Sequence, residues 1–219
     1  MSNDSHAKLV LTKVLYWGCA KSGKTTIIDS LYHLTKEKFT DNYEPEGELK
    51  KIAKKDGTTL YFDRGVFQSK KERSHQYHVY TVAGQVGFAP IRKKVFKGTD
   101  AVVFVFDAQP SRLQANIDSL KELKNVAERK LVKEIPLLVM INKQDLPEAY
   151  RKPAVEKILA GENLFFPPDD PWSLWNPIMY ESIALYDIQQ NIYTVFAELI
   201  RRLTIYKTFG DGINPPFQR

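Results

Sequence analysis

Short apolar runs alternate along the chain with longer segments in which apolar residues recur every three or four positions. The short runs predict strands, and they cover residues 10–17, 58–67, 77–82, 101–107, 135–141 and 178–181. The longer segments predict helices, and they cover residues 24–36, 111–132, 152–159 and 186–207. Strands separated by helices are typical of an α/β fold with a mainly parallel sheet. Because no helix separates the second and third runs, they predict one antiparallel edge strand.

Composition places the chain among globular proteins. It has 219 residues, enough to bury a sizeable core without disulfides. Its one cysteine excludes an internal disulfide and favours a reducing compartment. The longest apolar runs are far shorter than the roughly 18 residues that cross a bilayer, and no secretion or lipid-anchor motif is recognisable. We therefore expect a cytoplasmic protein without an integral membrane segment, for which peripheral membrane contact stays open.

The net charge of +6 raises the question of an anionic partner. The lysines and arginines lie in short groups that carboxylates interrupt, which is typical of a solvated surface. We therefore expect no nucleic-acid partner.

A glycine-rich segment follows the first predicted strand. Residues 18–25 read Gly-Cys-Ala-Lys-Ser-Gly-Lys-Thr, which matches the spacing G-x-x-x-x-G-K-[ST] of a phosphate-binding loop. Its N–H groups and the positive end of the following helix would face nucleotide phosphates. We predict that Lys24 neutralises the β and γ phosphates and that the Thr25 hydroxyl ligates Mg²⁺. The predicted contacts are Gly18, Cys19, Ala20, Lys21, Ser22, Gly23, Lys24, Thr25 and Thr26.

The end of the run at 135–141 indicates which base is bound. This run leads into Asn142, Lys143, Gln144 and Asp145. The carboxylate of Asp145 can accept from N1–H and the exocyclic amine of guanine, whereas adenine has no such donor pair and would leave the charge unpaired. Asn142 would tie this loop to the phosphate loop, and the stem of Lys143 would lie over the base. The predicted ligands are therefore GTP and GDP with Mg²⁺.

Across residues 10–206 the chain resembles the Ras-like small GTPases, and most of all the MglA-like branch of gliding and polarity GTPases of bacteria and archaea. The resemblance is carried by residues 77–86, Tyr-His-Val-Tyr-Thr-Val-Ala-Gly-Gln-Val, and by residues 97–105. Most Ras-like proteins have an aspartate where this chain has Thr81, and the MglA branch shares the threonine. We expect Asp63, on the neighbouring predicted strand, to take over the missing hold on Mg²⁺.

The resemblance implies a P-loop NTPase G domain. Its α/β fold would have a mostly parallel six-stranded sheet with one antiparallel edge strand and about five flanking helices. The predicted domain covers residues 8–207, with long connections at 37–57 and 164–177, and a C-terminal tail at 208–219. The aromatic connection at 164–177 either packs on the domain or docks a partner, and we favour packing.

The resemblance also assigns roles to individual residues. Gly84 corresponds to the sensor of the γ-phosphate, and Gln85 to the catalytic residue that orients the attacking water. Thr59, with Thr58 as the alternative, corresponds to the threonine that ligates Mg²⁺ in the GTP state. The remaining predicted base contacts are Ser182, Ile183 and Ala184.

Two residues that concern catalysis depart from the expected pattern, and Cys19 raises a separate question. Ala20 stands where Ras proteins have a glycine, so its methyl could crowd Gln85. Thr58 stands where MglA-like proteins commonly have an arginine finger, which leaves Arg64, Arg73 or a partner to supply that charge. Cys19 lies inside the phosphate loop, where the helix end and the lysines could favour a thiolate; a small residue that merely fills the loop is the favoured interpretation.

These features predict a GTP-binding switch, monomeric on its own, with slow intrinsic Mg²⁺-dependent hydrolysis. A roadblock-fold, MglB-like regulator would stimulate it, and unknown effectors would read its state. The alternative is a GTP/GDP-binding recruitment module with little or no hydrolysis. The guanine-type loop that ends in Asp145 argues against a P-loop ATPase or small-molecule kinase.

Overall fold

The computed structural model describes residues 9–37, 40–50 and 63–209. The predictions for Thr58, Thr59 and most of the C-terminal tail fall outside the described residues.

The strands of the described residues form one sheet. They are β1 Val10–Trp17, β2 Tyr43–Pro45, β3 Arg64–Ser69, β4 His75–Thr81, β5 Ala101–Asp107, β6 Leu137–Asn142 and β7 Ile178–Ser182. Their order in the sheet is β2-β3-β4-β1-β5-β6-β7. All neighbours from β4 to β7 pair in parallel, and β3 runs antiparallel to both β4 and β2. The sheet has one strand more than the predicted six, because the three residues of β2 are too few to form an apolar pattern.

Five α-helices accompany the sheet in the described part of the chain. They are α1 Lys24–Lys36, α2 Ala89–Phe96, α3 Leu113–Val126, α4 Lys152–Gly161 and α5 Ile192–Phe209. The α/β class and the number of helices agree with the prediction. The sequence pattern did not indicate α2, because this short helix buries only Arg92 and Phe96. Among these helices, none combines the length and the hydropathy that a membrane span requires.

A separate core lies on each face of the sheet. Val103 and Val105 of β5 point into the core that α1 and α5 cover, while Val102, Phe104 and Phe106 point into the core of the opposite face, with residues of α3 and α4. Because the strands are buried on both faces, their carboxyl ends and the loops that follow remain as the place for a ligand.

The aromatic connection at 164–177 packs on the domain. Trp175 is 5% exposed, and its ring centroid lies 3.9 Å from that of Tyr206 on α5. The guanidinium of Arg202 lies over the same indole, 5.6 Å from its centroid. The geometry therefore agrees with packing rather than with a free docking loop, although Leu174 in the same turn is 63% exposed.

Replacing Trp175 with alanine is expected to lower the free energy of unfolding by about 3–5 kcal/mol, because a large buried ring is lost. The matched variant Leu174→Ala is expected to stay within about 0.5 kcal/mol of the parent protein. Urea unfolding followed by circular dichroism measures both. Equal losses in the two variants would contradict the packing of this segment.

Candidate nucleotide-binding site

The phosphate loop connects the carboxyl end of β1 to the start of α1. Gly23 has φ +101°, and a Cβ there would come within 2.3 Å of Asn142 Nδ2, so the position requires glycine. Lys24 is 6% exposed, and its Nζ donates to the carbonyls of Gly18 at 2.9 Å and Cys19 at 2.7 Å. Burial lowers the pKa of Lys24 to about 8. An anion at this loop would offset the desolvation of the ammonium.

Asn142, the last residue of β6, joins the predicted base loop to the phosphate loop. Its Nδ2 donates to the carbonyl of Ser22 at 2.8 Å. Ser182 lies opposite Asn142 in the parallel pair of β6 and β7, which brings residues 182–184 to the same edge of the sheet. Asn142 Oδ1 and Ser182 Oγ are buried and have no hydrogen-bond partner within the described residues. Orphaned buried polar atoms are rare, and these two fit a site for a polar ligand.

Lys143 is held by a carboxylate that the sequence analysis did not include. Its Nζ donates to Asp107 Oδ2 at 2.7 Å and to Gln109 Oε1 at 3.0 Å. Asp107 is fully buried and lies opposite Asn142 in the pair of β5 and β6. A signal for Asp107 is present in the sequence. It is a carboxylate at the end of a buried strand, beside the strand that ends in the base-binding motif.

Three oxygen-bearing side chains meet where Mg²⁺ is predicted. Thr25 Oγ1 donates to Asp63 Oδ2 at 2.5 Å, and Thr81 Oγ1 donates to the same oxygen at 2.9 Å. Asp63 is 1% exposed and Thr81 is fully buried. A hydroxyl and one carboxylate are the hard oxygen donors that Mg²⁺ takes together with phosphate oxygens and water, so the residues present fit this ion. The described residues contain no cluster of three or more His, Cys, Asp or Glu that would hold a metal alone.

Gly84 lies directly against the phosphate loop. A Cβ at this position would come within 2.3 Å of the backbone nitrogen of Ala20 and 2.5 Å of the carbonyl carbon of Cys19. Backbone atoms cannot move aside as a flexible side chain can, so any larger residue would separate the two segments. The loop predicted to sense the γ-phosphate is therefore in contact with the loop predicted to hold it.

Arg92 of α2 fixes the backbone on both sides of Gly84. Its Nη1 donates to the carbonyl of Ala83 at 2.8 Å and to that of Gln85 at 2.5 Å. The guanidinium is buried and ion-paired with Glu122 of α3, with Nη2 2.7 Å from Oε1. No sequence pattern indicates this contact, because it joins two helices that no motif relates.

The two arginines considered from the sequence lie away from the phosphate loop. Arg64 Nη2 is 3.2 Å from His78 Nδ1, and its guanidinium lies over the ring of Tyr80. Arg73, in the connection between β3 and β4, forms an ion pair with Glu44 of β2.

Cys19 is a buried thiol rather than a reactive one. It is 4% exposed, and Sγ donates to Asn116 Oδ1 at 3.4 Å. Burial raises the pKa of the thiol, against the opposing effect of Lys24 and Arg112. Both observations favour a residue that fills the loop.

Three features together define a small GTPase of the P-loop class. They are a phosphate loop after β1, a guanine-type loop after β6, and Gly84 packed against the phosphate loop. The profile of the ADP-ribosylation factor (Arf) family matches residues 4–193, and the chain belongs to this family. The mutual gliding-motility protein MglA of Myxococcus xanthus (strain DK1622) is 36% identical over 159 residues, which cover 69% of this chain and 77% of that protein. ADP-ribosylation factor-like protein 4C of Homo sapiens is 30% identical over 153 residues, 69% of this chain and 70% of its own.

A solved structure shows the same fold. The Arl6 (BBS3) small GTPase from Trypanosoma brucei, with the bound nucleotide analogue GppNp, has a TM-score of 0.62 and 19% identity to this protein. The match covers 89% of this chain and 98% of that chain. The predictions of a Ras-like small GTPase related to MglA and of its G-domain fold are confirmed.

Replacing Glu122 with glutamine removes the counter-ion of a buried guanidinium and is expected to loosen the segment around Gly84. We expect the free energy of unfolding to fall by about 1–2 kcal/mol, less than for a fully buried pair because Glu122 is partly exposed. Amide hydrogen exchange over residues 83–88 should become faster. The control Glu198→Gln breaks an ion pair with the exposed Arg201 and should leave this exchange unchanged. Unchanged exchange in both variants would show that the ion pair of Arg92 with Glu122 does not hold the segment around Gly84.

Proposed function

We propose that this small GTPase is a GTP-binding switch with slow intrinsic Mg²⁺-dependent hydrolysis, which a roadblock-type partner accelerates. The observation that supports it best is the hydrogen bond from Asn142 to the carbonyl of Ser22, because it fixes the guanine-type loop to the phosphate loop. In this proposal Asp145 accepts from N1–H and the amine of guanine. The backbone N–H of Ala184 donates to the guanine oxygen.

The phosphates bind at the loop between β1 and α1. Successive backbone N–H groups and the positive end of α1 attract them. The Nζ of Lys24, which donates to neutral carbonyl oxygens, would then also contact phosphate oxygens. Their negative charge favours the charged form of Lys24, which burial disfavours.

Thr25, Thr59 and, through water, Asp63 are the residues that would hold Mg²⁺. Bound there, the ion would neutralise charge on the β and γ phosphates. Thr81 donates its hydroxyl hydrogen bond to Asp63 and so orients the carboxylate. A carboxylate directly before the neighbouring strand β3 thus compensates for the threonine that stands where most Ras-like proteins have an aspartate.

Hydrolysis in this proposal uses Gly84 and Gln85. The N–H of Gly84 donates to the γ-phosphate, and the side chain of Gln85 orients the attacking water. The backbone of Ala20 lies against Gly84, and in this proposal the methyl of Ala20, which stands where Ras proteins have a glycine, restricts the space in which Gln85 must align. This restriction supports a slow intrinsic rate, and the likeness to MglA supports a roadblock-fold, MglB-like partner that improves the alignment.

The proposed function is tested by two measurements on the purified protein. Denaturation and chromatography identify the nucleotide it carries, which we expect to be GDP or GTP. After loading with GTP, phosphate release is timed with and without a roadblock protein, and we expect a slow release that the partner accelerates. An adenine nucleotide would contradict the guanine site, and no release under either condition would leave a recruitment module.

Two aspartate variants sharpen the assignment of the base. Asp145→Asn is expected to weaken GDP binding by at least about 100-fold, because the amide cannot accept from both guanine donors. Asp118→Asn on α3 should bind GDP as the parent protein does, because within the described residues this carboxylate accepts from Gln114 on its own helix and from no other group. GDP titration of both variants would show equal affinities if Asp145 played no part in binding the base.

The Mg²⁺ assignment predicts a specific loss in Asp63→Asn. The amide keeps the shape and still accepts hydrogen bonds, but it lacks the charge that favours a divalent cation. The Mg²⁺ concentration needed to slow GDP dissociation should rise about 10- to 100-fold. The exposed Asp169→Asn serves as the control, and a normal Mg²⁺ requirement in Asp63→Asn would remove Asp63 from the metal site.

A further inference from the structure

Hydrolysis of GTP needs positive charge beside the γ-phosphate. Water forms a bond to the γ-phosphorus while the bond to the β–γ bridging oxygen breaks and its electron pair stays on GDP; the proton of the water leaves with phosphate or solvent. Negative charge therefore grows on the bridging oxygen, and an arginine that meets it can accelerate the reaction by about 10³- to 10⁵-fold. The inference that follows rests on the proposed function.

Arg112 is the arginine that contacts the phosphate loop. Its Nη2 donates to the carbonyl of Ala20 at 2.8 Å and lies 3.9 Å from Cys19 Sγ. Among the arginines of the described residues, no other donates to residues 18–25. Gly84 also lies against the backbone of Ala20, so the guanidinium and the γ-phosphate sensor contact the same residue of the loop.

The position of Arg112 is set by the start of α3. Asn116, one turn further on, ties this helix to the end of β5: its Oδ1 accepts from the backbone N–H of Asp107 at 2.9 Å, and its Nδ2 donates to the Asp107 carbonyl at 2.8 Å. Arg112 Nε lies 3.8 Å from the buried carboxylate of Asp107. Since Lys143 sits closer to that carboxylate, at 2.7 Å, Asp107 holds Arg112 only loosely.

The guanidinium of Arg112 keeps donors and freedom to reach a ligand. The side chain is 34% exposed, unlike the buried Arg92. In the described part of the chain its Nη1 makes no hydrogen bond. The Nη1 of Arg92, in contrast, already donates to both carbonyls that flank Gly84. A planar group with five donors can keep its bond to Ala20 while a second nitrogen meets a phosphate oxygen.

We propose that Arg112 is a catalytic residue that this chain directs at the γ-phosphate in cis, approaching across Ala20 from the side of α3. In this role Arg112 replaces the arginine finger that MglA-like proteins commonly have where this chain has Thr58. The bond to the Ala20 carbonyl restrains the guanidinium as its second nitrogen approaches the phosphate, which is compatible with a slow intrinsic rate.

The test compares Arg112→Lys and Arg112→Ala with the parent protein in single-turnover hydrolysis of preloaded GTP. We expect phosphate release to slow by about 100-fold, as for loss of one group that stabilises the transition state. GDP dissociation should stay within about threefold, because the effect is confined to the transition state. The adduct of GDP with aluminium fluoride, a planar mimic of the transferring phosphoryl group, should form only in the parent protein. Added guanidinium should partly restore Arg112→Ala.

The control is Arg129→Lys, the same chemical change at an exposed arginine between α3 and β6, which should behave as the parent protein. Hydrolysis by the Arg112 variants at the parent rate would overturn the inference and leave the proposed GTPase intact. Faster GDP dissociation that matches the loss of hydrolysis would also overturn it, because Arg112 would then only support the loop. A parent protein that releases no phosphate would overturn the proposed function together with the inference.

Discussion

The phosphate loop buries an ammonium group that no carboxylate of the described residues neutralises. Lys24 is 6% exposed, its Nζ is surrounded by carbonyl and hydroxyl oxygens, and no carboxylate of the described residues lies within ion-pair distance. Removing a charge from water costs several kcal/mol unless a counter-charge is supplied. An anion at this loop would offset that cost. The buried ammonium therefore favours phosphate binding at this point of the fold.

Residues from several separate parts of the fold contact the same loop. Asn142 holds it from the end of β6, Gly84 lies against it from the segment after β4, and Arg112 and Asn116 reach it from α3. Three of these contacts involve backbone atoms of the loop, and the fourth joins Asn116 to the side chain of Cys19, so a shift of the loop changes all of them together. Arg92 extends this coupling, because its ion pair with Glu122 joins the segment around Gly84 to α3. The phosphate loop, α2 and α3 are thus joined by one contiguous set of contacts.

Sequence reasoning found those parts of the site that follow from local spacing. The phosphate loop and residues 142–145 could be found because their chemistry requires fixed neighbours along the chain, and β1 and β5 were bounded correctly because both are continuous apolar runs. Asp63 could be proposed only through the resemblance, since nothing in its own neighbourhood indicates a metal. Asp107, Arg112, Arg92 and Glu122 were missed because their partners are set by packing between elements and by no recurring pattern. The short β2 and α2 were missed for the related reason that they have too few buried positions to form a period.

The pairing of Asp63 with Thr81 explains how the fold can lose a motif residue and keep its chemistry. Thr81 N donates to the carbonyl of Asp63 at 3.0 Å, and Asp63 N donates to Thr81 Oγ1 at 3.1 Å, so the two residues are cross-strand neighbours. Either position can therefore present a side chain to Thr25 at the start of α1. With the carboxylate directly before β3, the residue left on β4 needs only to donate a hydrogen bond, which a threonine does with less buried charge. The requirement of the site is a carboxylate at one point in space, and a motif written along a single strand is only one of the ways to meet it.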